Sequence, residues 1–246
     1  MAETVNKRET IEKLKQDILK LEGFRAVLDH SRRDTGLGPV EEAFPNKVFP
    51  IAAVHEFISP TVTDAAATTG FITGLVSHLM NKGGMCIWVR TQPVLFPPGL
   101  KVFGIEPDRI IFIDLNNEKD VLWTIEEALK CESLTAVIAE LKEINLTESR
   151  RLQLAVEKSR VTGFLHRRSP QKIENIACVS RWQISPLASS IRRGIPGVGY
   201  PSWNVDLQKV RNGKPGRWQI QWAEGRFDQL ATTDIEIDKV LIQQTG

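Results

Sequence analysis

The sequence predicts an α/β protein: a largely parallel sheet with helices on both faces, a C-terminal antiparallel β-hairpin and an N-terminal helical extension. Three observations lead to that class. Between residues 53 and 184 short apolar runs recur that are continuous rather than alternating, the pattern of strands buried on both faces. Amphipathic segments of helical period separate most of them, and strands alternating with helices build a parallel sheet. Beyond residue 200 the period becomes two, on either side of a turn rich in Asn, Gly and Pro.

Taken in order, residues 3–22 read as a helix. Ile11, Leu14, Ile18 and Leu21 form a stripe at 3-4-3 spacing. So narrow a stripe suits one partner helix or groove, and docking on its own domain is the alternative. The N-terminal helix is assigned to 1–30. Residues 31–50, with Gly36, Gly38, Pro39, Pro45 and Pro50, read as a linker. Strands are expected at 53–58, 85–90, 110–115, 134–141, 162–167 and 176–184. Helices are expected near 64–80, where Phe71, Ile72, Leu75 and Leu79 share a face, and briefly near 97–104. Two more follow. The segment 118–131 turns Leu122, Ile125 and Leu129 inward. The segment 146–160 opens with Asn145 and Glu148 at capping-box spacing. Alternating runs 203–210 and 216–222 make the hairpin. The core is thus expected over 51–230, and 231–246 is a tail without a predicted element.

Composition narrows the class further. The chain has 246 residues, 41% hydrophobic and 25% charged, with a net charge of +2. Those are globular values. No apolar run reaches the roughly 20 residues that span a bilayer, and the charged first thirty residues do not read as a signal peptide, so a cytoplasmic protein is expected. Cys86, Cys131 and Cys178 lack CxxC spacing and read as reduced packing cysteines. The four histidines lack metal-ligand spacing.

In a parallel sheet, ligands bind beyond the carboxyl ends of the strands. The turn after the first strand, residues 59–66, has neither the glycines nor the lysine of a phosphate loop, and it presents Asp64. No GxSxG elbow is present. Gly194 to Gly199 superficially resembles a glycine-rich fingerprint but reads as a loop with a proline and no following helix.

Three segments resemble the RecA-type ATPase core. His55-Glu56-Phe57-Ile58-Ser59-Pro60 resembles the strand entering the RecA phosphate loop. Residues 176–184 are similar to the strand after its second DNA loop. Lys209, Arg211, Gly213 and Gly216 match the K-x-R-x-G-x-x-G hairpin of RecA-like recombinases and replicative helicases. Within that superfamily His55-Glu56, Pro97-Pro98-Gly99-Leu100, Leu122-Trp123 with Glu126-Glu127-Ala128-Leu129, Ser149-Arg150-Arg151-Leu152-Gln153-Leu154-Ala155 and Arg181-Trp182 together look like the ImuA family, over about residues 50–225.

That resemblance implies a RecA-like core and an accessory role in SOS-induced error-prone translesion synthesis. The implied partners are RecA, an ImuB-type polymerase-like protein and an error-prone replicative-type polymerase; weak DNA contact and a second copy of the chain are further expectations. It also implies loss. The phosphate-loop positions fall on Ser59, Asp64, Ala65 and Ala66, the water-activating glutamate near Gln92, and the metal-binding aspartate near Ala139 with Glu140 beside it. No catalytic residue, no cofactor and no metal are therefore expected. The alternatives are a SulA-like inhibitor of cell division, and a single-strand DNA binder with an atypical ATPase site.

Charge is uneven: from Arg150 to Arg193 ten Lys/Arg face two acids. Arg167, Arg168 and Lys172, at the position of RecA's second DNA loop, are the DNA-contact candidates. Ile11, Leu14, Ile18, Leu21, Lys209 and Arg211 are the interface candidates; in RecA-like filaments cations of the hairpin reach the neighbour's ATP. Most of the six tryptophans are expected in the core, with one or two at the surface.

Overall fold

The computed structural model describes residues 13–14, 36–81, 83–189 and 199–230. The chain divides into two compact units, Met1–Arg33 and Asp34–Gly246. In the first, Lys13 and Leu14 are helical and exposed; Ile11, Ile18 and Leu21 lie outside the described residues, as do the loop at Gly194 and the tail 231–246.

The second unit is built on nine strands: β1 (Val54–Ser59), β2 (Met85–Arg90), β3 (Ile110–Asp114), β4 (Leu134–Leu141), β5 (Thr162–Arg168), β6 (Ser180–Leu187), β7 (Ser202–Val210), β8 (Gly216–Ala223) and β9 (Arg226–Gln229). They form a single sheet in the order β3-β2-β4-β5-β1-β6-β7-β8-β9. The first six pair in parallel, and β6 to β9 pair antiparallel. Strand β1 sits between β5 and β6 and is buried along its whole length. This is the predicted mixed class.

Three helices cross between the parallel strands: α1 (Val62–Leu79), α2 (Glu118–Leu129) and α3 (Leu146–Ser159). Alternation along each strand divides its side chains between two cores. Phe57, Trp88, Ile138, Phe164 and Trp182 pack against α1 through Phe71, Ile72 and Leu75. Val54, Val89, Val137 and Leu165 pack against α2 and α3 through Val121, Ile125, Leu152 and Val156. The capping box at Asn145 and Glu148 forms as expected.

Two expectations are corrected, and one strand was not foreseen. The presumed linker over 31–50 is part of the core from residue 36 onward: Leu37, Val40, Phe44 and Phe49 are buried against the α1 face, and short 3-10 turns carry them there. Its glycines and prolines shape turns, not a tether; Gly36 and Gly38 both adopt positive φ. The run 176–184 becomes a strand only at Ser180, because 169–177 is a folded-back loop. Strand β9 had no apolar pattern to announce it, yet Phe227 seats in the aromatic cluster of Phe71, Trp203 and Trp222.

Candidate functional site

The carboxyl ends of β1, β4 and β5 lie side by side, and each face of the sheet carries a polar centre there. On the α1 face, the β1–α1 turn is closed by its own side chains. Thr61 is the N-cap of α1: its Oγ1 accepts from the Asp64 N–H at 3.1 Å, and the Asp64 carboxylate accepts from the Thr61 N–H at 3.2 Å and from the Thr61 hydroxyl at 2.7 Å. A helix N-terminus binds anions through unpaired N–H groups and its dipole. Here a carboxylate already occupies that role, and Ala65 begins the backbone ladder with no side-chain cation to offer.

Behind the turn, the Ser59 hydroxyl meets Thr68 Oγ1 at 2.8 Å and His166 Nε2 at 2.9 Å. All three residues are fully buried. Burial, aided by the nearby Arg168 charge, lowers the His166 pKa to about 3, so the ring is neutral. The Glu140 carboxylate is divided between the Trp88 indole N–H at 2.8 Å and Arg168 Nη1 at 2.8 Å. At the end of β2, Arg90 pairs with Asp114 at 2.6 Å and stacks over Phe112. The helix end is thus capped by its own side chains, and Glu140, the acid expected beside the metal position, is held by Trp88 and Arg168.

On the opposite face Glu56 is buried completely between two arginines. Its Oε1 accepts from Arg167 Nη1 at 2.9 Å and its Oε2 from Arg181 Nε at 2.6 Å. Each arginine then reaches onward to the loop 169–177. Arg167 Nη2 donates to the Lys172 carbonyl at 2.6 Å, and Arg181 Nη2 to the Glu174 carbonyl at 2.5 Å. Lys209 Nζ donates to the Ile176 carbonyl at 3.3 Å, Glu143 accepts from the Gln171 N–H at 2.6 Å, and Ser149 Oγ accepts from the Ala177 N–H at 3.0 Å. The loop 169–177 is thus latched along its length. Cys178 lies against Glu56, and burial pushes its thiol up to about 12, an inert group.

Comparison with known proteins agrees with this architecture. No protein-family model matches the chain. It is 35% identical over 197 residues to the protein ImuA of Caulobacter vibrioides, in two strains, covering 75% of this chain and 81% of the relative. The chain belongs to the ImuA family. The structure also resembles that of the RadB recombinase, with a TM-score of 0.56 and 13% identity, covering 80% of this chain and 99% of the other, which shows the RecA-like fold.

Within this ImuA-family chain the expected site residues separate. Ser59, Asp64, Ala65 and Ala66 do meet at the β1–α1 turn. Arg167 is corrected as a DNA contact: it is 1% exposed and spent on Glu56, Glu143 and two carbonyls. Arg168 is partly exposed and paired with Glu140, which leaves Lys172 as the exposed cation of the three. Lys209 is drawn onto its own loop, and Arg211 is half-exposed. The hairpin glycine Gly213 has a packing reason: a Cβ there would lie 2.2 Å from the Ala43 carbonyl, which the Lys214 N–H also engages at 2.8 Å. Sequence reasoning missed Glu56 as a hub. Its signal was present as a carboxylate inside a short run expected to be a buried strand, a place where charge survives only when paired. Cys131 is exposed and does not pack.

Proposed function

We propose that this chain is a non-catalytic RecA-like accessory of SOS-induced error-prone translesion repair, acting by binding RecA and the mutasome polymerases, an ImuB-type polymerase-like protein first among them. Family membership supports the process. The non-catalytic part rests on one observation, the Thr61–Asp64 capping box that closes the end of α1 where a nucleotide's phosphates would lie. A carboxylate at that distance from a triphosphate repels it. Weak DNA binding is expected, because two of the three candidate cations are consumed internally.

The test is direct. Titration calorimetry with magnesium ATP should give no binding heat, while the nucleotide-free chain should retain the ImuB-type protein and RecA in a pull-down from purified components. Micromolar ATP binding, or partner capture that requires ATP bound to this chain, would sink the proposal.

A further inference from the structure

On the α2 and α3 side of the sheet, a groove of about 440 Å³ runs between the two helices. Glu126, Lys130 and Glu132 line one wall, and Arg151, Leu154 and Lys158 the other. Leu154 is 66% exposed in the middle of α3, and Trp123 on α2 is equally so. Trp123 stands one turn before Glu126, a residue of the groove wall, on the exposed side of α2, so it neighbours the groove without lining it, whereas Leu154 lines it. Neither contributes to the fold: the inward faces of these helices are Val121, Ile125, Leu129, Leu152 and Val156.

The charges around Leu154 say what it faces. Positions i−4, i−3 and i+4 are Arg150, Arg151 and Lys158, all exposed. Arg150 and Lys158 have no acidic partner among the described residues, and Arg151 shares Glu126 with Lys130. The nearby acid Glu157 accepts from Gln153 at 3.1 Å. An exposed leucine with cations at i−4, i−3 and i+4 and a single acid, Glu157, at i+3 is complementary to an apolar side chain flanked by carboxylates on its α3 side. Nucleic acid fits less well, because Glu126, Glu127 and Glu132 on the facing wall would repel phosphate and would leave Leu154 and Trp123 without a contact.

We infer that the α2–α3 groove is a docking site for an amphipathic helix of a partner protein, its apolar ridge lying on Leu154 and Trp123 and its acidic flank along Arg150, Arg151 and Lys158. A helix suits the furrow because two helix walls accept a third ridge between them. The 14 residues of α3 give a track of roughly 21 Å, room for about four turns. The inference rests on the proposed function for the identity of the partner, the ImuB-type polymerase-like protein.

The experiment titrates that purified protein against the full-length chain, immobilised, at low and high salt. Wild-type affinity should fall with salt. Leu154→Glu, Trp123→Ala and the pair Arg150→Glu with Lys158→Glu should each weaken binding by about tenfold or more, with unfolding midpoints unchanged because all four positions are exposed. Should Leu154→Glu melt early, Leu154→Ser and Lys158→Glu alone carry the test. Wild-type binding that every variant retains overturns the groove and leaves the proposed function standing; no wild-type binding overturns both. If the variants instead lose a labelled single-stranded oligonucleotide, the surface is a nucleic-acid site and the inference fails. If light scattering shows a wild-type dimer that Leu154→Glu splits, the occupant is a second copy and it fails likewise.

Discussion

Two buried side chains, His55 and Glu56, show how much a single strand residue can organise. The partners of His55 fix its tautomer. Trp182 Nε1 can only donate, so Ser180 Oγ accepts from it at 2.6 Å and donates to His55 Nδ1 at 2.6 Å; Pro50 O can only accept, so His55 Nε2 carries the proton at 2.7 Å. Burial lowers the His55 pKa from 6.5 to about 4, opposed in part by the Pro50 hydrogen bond, and His166 goes down to about 3. The unfolded chain therefore binds these protons more readily than the native one. Their stabilisation is complete above pH 6.5 and is lost as the pH falls toward 4, on the order of 3 kcal/mol for His55. The unfolding midpoint should drop steeply between those pH values, and His166→Gln should flatten the drop. An equally steep drop in that variant would show that other groups set the acid limit. Glu56→Gln keeps the shape but leaves Arg181 without its carboxylate and Arg167 with Glu143 alone, for a loss of about 3 kcal/mol. It should also release the loop 169–177 to trypsin after Lys172, at a site the wild type is expected to protect.

At the scale of elements, the proposed absence of nucleotide chemistry turns on the start of α1. Thr61→Ala removes the cap and should lower stability by about 1 kcal/mol. Magnesium ATP should raise the unfolding midpoint of neither chain, since a ligand stabilises only the state it binds. A rise in either would restore the nucleotide site. The elements themselves were largely readable. Strands β2 and β4 fall on the predicted runs to the residue, because continuous apolar stretches of Val, Ile, Leu and Trp have few other uses in a chain of this class. Strand β9, four residues with Arg226 and Asp228 among them, carries no such pattern and exists because β8 offers an edge. Arg167 was misread for a different reason. Arg167 finds Glu56 111 residues away, and Arg181 finds it across 125. A local count of cations cannot see partners at that separation, so the buried Arg167 was counted together with the exposed Lys172 as a cation open to DNA.

For the molecule as a whole, the boundary of the folded unit lies earlier than the punctuation of the sequence suggested. A chain beginning at residue 34 should keep a cooperative thermal transition close to that of the full protein. One beginning at 51 should not, since it lacks Leu37, Val40, Phe44 and Phe49 from the core, with each buried large apolar side chain worth roughly 2 kcal/mol. Equal melting of the two truncations would return 36–50 to the status of a tether. The distribution of indoles over the same molecule has an optical consequence. Trp88, Trp182, Trp203 and Trp222 are 0–3% exposed and Trp218 is half-buried, whereas Trp123 faces water. The emission of the native protein is then a sum of a blue, shielded population and one red component, and iodide in solution quenches the red one first. A molecule that settled on α2 would shift that component alone, so the protein carries its own fluorescent reporter for the surface around Trp123.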